Sequence, residues 1–382
     1  MVIKYLFSSP NGDIHIGPKE LLTPFKITPS EDHPFLTLGD YFNAIKDFIL
    51  KNHMDYLISY FDEEFGKKAN PDRINKILIR SEKHGALYHL ASVDIFIDRR
   101  SVKIAVSTAV SEKGKRWLNR EYDLLNDLDN TFKLPYLPKT YFKADVDCCT
   151  ENGKASLSMF AAQWFENYHE WHLSLDKRKI QRICIWDMKN GYRFASKKEG
   201  YEIYRQASKI LTLYYDMKKF HQIYPWHHGA GDFVVKTKDG KIDVKLTTAR
   251  RYGPIMASLK EEKINPLIAM IYFFLNLTLK MRLDKMDGLG KAAWAEHPSV
   301  EAATRGFFDA LKIMEKSGRY NLGKIEDLHS LLKLFSEKEL YKLLQSLMDL
   351  YRSEDLIDLT IIKRNLKDHT RQLHRIIQRF HL

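Results

Sequence analysis

The stretch Tyr224-Pro-Trp-His-His-Gly-Ala-Gly-Asp-Phe-Val-Val-Lys236, continued by Lys238-Asp-Gly-Lys-Ile-Asp-Val-Lys-Leu-Thr-Thr-Ala-Arg250, decides how this chain is read. It predicts a helix end, a tight polar loop dense in titratable side chains, a short apolar strand, an Asp-Gly turn and a second strand. Polar side chains on a loop held between rigid elements are a common way to build a binding or catalytic site.

Upstream, the pattern is strand-like from Ile74 to Val110: Ile77 and Ile79 alternate, as do Val93, Ile95 and Ile97, and then Val102, Ile104 and Val106. Three antiparallel strands are expected there. From Ser111 to Leu128 the spacing becomes helical, with Trp117, Leu118, Leu124, Leu125 and Leu128 available for one face. Two further strands follow around Lys139 to Ala144 and Ser156 to Ala162, ahead of an aromatic connector, Trp164 to Trp171. Arg182 to Phe194 predicts a hairpin turning at Asn190-Gly191. Ser196 and Glu199 form a capping-box pattern for a helix that ends near His221 and delivers the chain to the opening stretch.

At the N-terminus, residues 1 to about 36 are rich in Pro, Gly and Ser without a clear period, which predicts an irregular arm. Thr37 with Asp40 then offers a helix start, and Asn70-Pro71 an end, so residues 1–70 are expected to be an arm and helical extension. Beyond Pro254 the chain is expected to be helical, with breaks near Asp287-Gly288, His297-Pro298 and Ser317-Gly318. The most apolar segment, Ile264 to Leu279, is broken by Asn265, Pro266 and Asn276 and predicts a buried helix, with no transmembrane segment.

The 382 residues are 44% hydrophobic and 29% charged, ordinary for a folded protein that has room for two lobes. The net charge of +12 is spread along the chain and only weakly favours acidic ligands. Cys148, Cys149 and Cys184 have no metal-site spacing and suggest no disulfide framework, which fits a reducing compartment. The first ten residues lack a signal-peptide pattern, so the expected localisation is cytoplasmic.

Three strands, a crossing helix with an acid, two strands, an aromatic connector, a long helix, a polar loop, a strand pair and a helical remainder: this order resembles the protein-kinase-like superfamily, closest to its aminoglycoside and choline phosphotransferase branch. The resemblance covers roughly Ile74 to Pro254. It implies a bilobal α+β fold, with an antiparallel-sheet lobe over residues 71–165 and a large, mostly helical lobe over 166–382. It also implies ATP and Mg²⁺ as ligands.

Carried over residue by residue, the family's Ala-x-Lys strand falls on Ile104-Ala-Val-Ser107, so Ser107 stands where a phosphate-binding lysine is expected. Lys103 shares the strand face of Ser107 but lies more than one pleat away. Glu121, in Asn119-Arg-Glu-Tyr-Asp-Leu-Leu125, matches the glutamate that pairs with that lysine. The glycine-rich loop falls in Ser81 to Tyr88, where Gly85 alone remains. With Phe233-Val-Val235 as the strand after the catalytic loop, His227 takes the base position and Asp232 the position of the metal-binding asparagine. Thr247 stands where a second metal-binding acid is expected.

The lysine and one metal ligand supply main terms of phosphoryl transfer, and both are replaced. The leading expectation is therefore a catalytically degenerate, pseudokinase-like protein that binds a small molecule or protein through the interlobe cleft. A second is an active, divergent small-molecule phosphotransferase with His227 as base and Asp232 on magnesium. A third class rests on residues 361–382, a basic amphipathic helix with Ile362, Leu366, Leu373, Ile376, Ile377 and Phe380 inward, suited to RNA, an anionic surface or an acidic partner.

His169 and His172, three apart, fit one helical face and read as surface residues. Trp164, Tyr168 and Trp171 offer a stacking edge or core packing.

Overall fold

In the computed structural model, alternation in the N-terminal third produces one large sheet. The described residues are 1–9, 12–28, 30–51, 58, 60–62, 71–85, 87–97, 100–187, 190–226, 231–255, 265–288, 290–296, 298–352 and 356–382. The fold is α+β and divides into two units, Met1–Glu166 and Asn167–Leu382.

The first unit runs β1 (Val2–Phe7), β2 (Ile14–His15), α1 (Pro18–Leu21), β3 (Pro24–Thr28), β4 (Glu31–Thr37), α2 (Leu38–Leu50), β5 (Ile74–His84), β6 (His89–Ile97), β7 (Arg100–Ala109), α3 (Glu112–Phe132), β8 (Thr140–Thr150) and β9 (Gly153–Gln163). Its main sheet has the order β2-β1-β5-β6-β7-β9-β8. Successive residues point to opposite faces. One face sets Ile77, Ile79, Val93, Ile95, Ile104 and Val106 into a core with Tyr41, Phe42, Ile45, Phe48 and Ile49 of α2.

The capping box that starts α2 is formed as its sequence suggests. The Thr37 amide donates to Asp40 Oδ2 at 2.8 Å, and the Asp40 amide to Thr37 Oγ1 at 3.2 Å. The opposite sheet face, which carries Ser107 and its neighbour Phe160, supports α3 through a Phe160–Tyr122 contact at 5.7 Å between ring centroids. Leu118, Glu121, Leu125 and Leu128 form the buried stripe of α3.

The second unit contains β10 (His169–Leu175), β11 (Gln181–Asp187), β12 (Gly191–Phe194), α4 (Lys197–Leu213), β13 (His221–Ile223), β14 (Phe233–Lys238), β15 (Lys241–Leu246) and β16 (Tyr252–Pro254). There follow α5 (Pro266–Lys280), β17 (Leu283–Lys285), β18 (Ala292–Trp294), α6 (Pro298–Lys316), α7 (Ile325–Leu334), α8 (Glu337–Ser346), α9 (Met348–Arg352) and α10 (Leu356–Arg379). Five strands form a sheet in the order β12-β11-β10-β14-β15. Helices α4 and α6 approach closely: a Cβ on Gly306 would lie 2.0 Å from the Arg205 carbonyl oxygen, so only glycine fits there. Among the described residues no helix is long and apolar enough to cross a membrane.

Four local expectations are corrected. The N-terminal arm is not irregular: β1 pairs in parallel with β5, from Val2 against Lys76 to Phe7 against Ser81, and β3 pairs with β4. That pairing spans some seventy residues, which no local period can reveal. The helix after Ser196 stops at Leu213, and His221 opens a short strand paired with β16. The chain beyond Pro254 also contains the hairpin β17–β18. Finally, His169 and His172 lie on strand β10, and His172 is buried.

Candidate functional site

The hairpin β14–β15 builds the centre of the site in the second unit. Its register, Phe233 against Leu246 through Lys238 against Lys241, is fixed by a two-residue Asp239-Gly240 turn. Both turn residues have positive φ, 51° and 71°, as the right-handed twist of such a hairpin favours. The open end of the hairpin brings Asp232 beside Thr247: the Thr247 amide donates to the Asp232 carbonyl at 2.7 Å. The Thr247 hydroxyl faces the carbonyls of Gly231 at 3.1 Å and Asp232 at 3.2 Å, either of which can accept its proton.

Asp232 is 1% exposed, and its carboxylate is gripped from both sides. Arg250 Nη1 donates to Oδ2 at 2.7 Å and Nη2 to Oδ1 at 2.6 Å, a fork-on-fork pair. His227, expected as the base, lies outside the described residues together with His228, Gly229 and Ala230. On the near side of that segment Trp226 is buried, edge-on to Phe233 at 5.9 Å.

A second group, which sequence reasoning missed, meets the same loop. Gly231 has a φ of 71°, and a Cβ there would come within 2.6 Å of Glu170 Oε1, so the Glu170 carboxylate lies directly against the backbone preceding Asp232. Glu170 Oε2 is 3.5 Å from His172 Nε2, and His172 Nδ1 is 3.6 Å from Asp284 Oδ1. Asp284 is itself held by the Leu173 amide, which donates to Oδ2 at 2.7 Å. Burial pulls the His172 pKa down, but Asp284 and Glu170 outweigh it, and the net shift is upward.

The visible signal was the period-2 placement of Glu170 and His172. It was masked because Trp171 and Leu173, on the opposite strand face, are buried as well.

These side chains do not fit the magnesium site that the resemblance implies. Mg²⁺ is bound through one or two carboxylates together with phosphate oxygens. Both oxygens of Asp232 go to a guanidinium, Thr247 brings no charge, and Asp243 is a half-exposed strand residue that accepts the Tyr168 hydroxyl at 2.6 Å. Among the described residues no group of three or more His, Cys, Asp or Glu side chains is disposed to hold a metal ion.

In the first unit, the positions assigned to nucleotide binding are taken up by internal contacts. Ser107 is 6% exposed on β7. Lys103, two pleats back, lies 4.5 Å over the Trp164 ring and 3.8 Å from Glu82 Oε1, an oxygen that also accepts the Ser92 hydroxyl at 2.5 Å.

Glu121 is 4% exposed and accepts a hydrogen bond from the Tyr88 hydroxyl. The turn that carries Tyr88 is drawn down on the helix. The Gly85 amide closes it on the Tyr88 carbonyl at 3.2 Å, and a Cβ on Gly114, in the first turn of α3, would sit 2.2 Å from the Leu87 carbonyl oxygen. Gly85 therefore serves a closed turn: a Cβ there would meet the Tyr88 carbonyl oxygen at 2.5 Å.

Glu121 and Tyr88 are thus brought together, as are Asp232, Thr247 and Arg250, while Lys103 is directed to Glu82 and Trp164. No family model matches the chain, and no curated protein matches it.

Proposed function

We propose that this chain is a kinase-like protein whose phosphoryl-transfer machinery is replaced by internal contacts, and that it works by binding a small molecule or protein partner. The element order supports the kinase-like reading: three antiparallel strands, the helix bearing Glu121, two strands, and later a long helix leading to the Asp232 hairpin. The observation that carries the loss of catalysis is the two-pronged Arg250 clamp on Asp232.

Arginine keeps its charge at any physiological pH, so the clamp is a permanent countercharge rather than one that a proton could release. A metal ion would have to displace it from an almost fully buried carboxylate. The lysine that neutralises phosphate is replaced by the buried Ser107, and the acid that would orient that lysine is engaged by a tyrosine hydroxyl.

Thermal-shift measurements with ATP, with and without Mg²⁺, test this reading. The expected result is no metal-dependent stabilisation. A Mg²⁺-dependent rise in melting temperature that disappears in Asp232→Ala would overturn it in favour of a phosphotransferase with His227 as base.

A further inference from the structure

Helix α10 combines a buried apolar face with an outward basic stripe. Ile362, Leu366, Leu373 and Ile377 are buried, so the helix is docked on its own unit rather than presented as a loose peptide. At about 100° per residue, Ile357, Arg364, Lys367, Arg371 and Arg375 fall within one arc of about 80°. Arg364, Lys367 and Arg375 are exposed, and Arg371 is partly so, its Nε 4.0 Å from Glu337 Oε1. Asp368 is the acid closest to the stripe in sequence, and its carboxylate accepts from Gln372 on the same helix.

Apolar side chains stand at both ends of the stripe. Leu356 and Ile357, at the first turn, are 67% and 66% exposed. At the far end, Gln378 Nε2 donates to the Lys333 carbonyl at 2.7 Å, which sets the end of α7 beside the last turns of α10. Leu334, the next residue, is 79% exposed.

We infer that this face docks on an anionic lipid bilayer, lying on its surface with the basic stripe against the headgroups and the terminal leucines inserted. Charge complementarity selects an anionic partner, and the paired aliphatic ends select a lipid over a nucleic acid. Surfaces that hold single-stranded nucleic acid combine cations with exposed rings on which bases stack. The stripe has no such ring: Phe380, the aromatic nearest its end, is 5% exposed and stacked on Phe308 at 5.0 Å. The 24-residue helix is about 36 Å long, long enough to present its cations together to one surface. Each Lys or Arg held at an anionic membrane strengthens partitioning by about fivefold, an effect that salt screens.

The test is co-sedimentation of the full chain with vesicles of phosphatidylcholine alone and of phosphatidylcholine with 30% phosphatidylserine. Binding is expected to the anionic vesicles only, and to fall steeply as salt is raised. Arg364→Glu with Arg375→Glu should weaken it by at least about 25-fold. Leu356→Ser with Leu334→Ser should weaken it by about tenfold at low salt. All four positions are exposed, and unchanged melting temperatures would show that the variants fold.

Failure to sediment with anionic vesicles overturns the inference. So does equal binding by the charge-reversed protein, binding unaffected by the two serine substitutions, or binding confined to a single-stranded RNA oligonucleotide in a parallel titration.

Discussion

Each of the two units buries one acid that the kinase-like resemblance singles out, and the two are held in different ways. Glu121 sits beneath a turn and accepts from the neutral hydroxyl of Tyr88, whereas Asp232 lies at the open end of a hairpin inside the fork of Arg250. The neutral hydroxyl brings no countercharge to Glu121, while the guanidinium fork balances the Asp232 carboxylate in place. Their partners, not the acids themselves, decide whether the carboxylates are free to act on a ligand.

The strongest way to break this contrast is to remove the cation. Arg250→Met leaves Asp232 buried with its main countercharge gone, and stripping one partner from a buried pair costs about 3–5 kcal/mol. Urea denaturation should show a loss of this size, and the double variant with Asp232→Asn should recover most of it. A loss below about 1 kcal/mol in the single variant would mean that solvent or another group already neutralises Asp232.

The frame around these acids was legible in the sequence; their partners were not. Alternation at Ile77/Ile79, Val93/Ile95 and Ile104/Val106 predicted strands that are present, because a half-buried sheet imposes a period of two on its side chains. The capping boxes at Thr37 and Ser196 and the Asp239-Gly240 turn are equally local, and each is formed. Tyr88 reaches Glu121 across 33 residues and Arg250 reaches Asp232 across 18, distances over which no short-range pattern operates. His172 departs from its expected surface position for a related reason. Its spacing from His169 suits a helix as well as a strand, and only the pairing of Trp171 with Ile185 and of His172 with Cys184 settles which it is.

Two buried imidazoles extend the comparison. His172, between Glu170 and Asp284, has its pKa raised above 6.5. His369, fully buried with Arg282 nearby, has its pKa lowered from 6.5 to about 3, first by burial and then by the arginine, and neither ring nitrogen has a hydrogen-bond partner among the described residues.

The two therefore act on stability in opposite pH windows. His172 contributes most below pH 6.5, and its contribution is lost as pH rises through its folded pKa. His369 binds fewer protons folded than unfolded, so its contribution is intact above pH 6.5 and falls by about 1.4 kcal/mol per unit on the acid side, roughly 2 kcal/mol by pH 5. Replacing His369 with Leu should flatten the acid limb of the stability profile, and NMR titration should find His172 still protonated at pH 6.5. An unchanged acid limb would show that His369 is hydrated or opens before it titrates.

The smallest effect is expected at Tyr88. Tyr88→Phe keeps the ring and deletes the hydroxyl that faces Glu121, leaving a 4% exposed carboxylate short of one donor. Loss of a hydrogen bond to a buried group costs about 1–2 kcal/mol in such settings. Because the same hydroxyl ties the Gly85–Tyr88 turn to α3, amide exchange in that turn should accelerate while exchange in the core strands β6 and β7 stays slow. A loss above about 3 kcal/mol would put the neutral cap on a par with the Arg250 clamp, and the distinction between the two acids would then lie in their burial rather than in the charge of their partners.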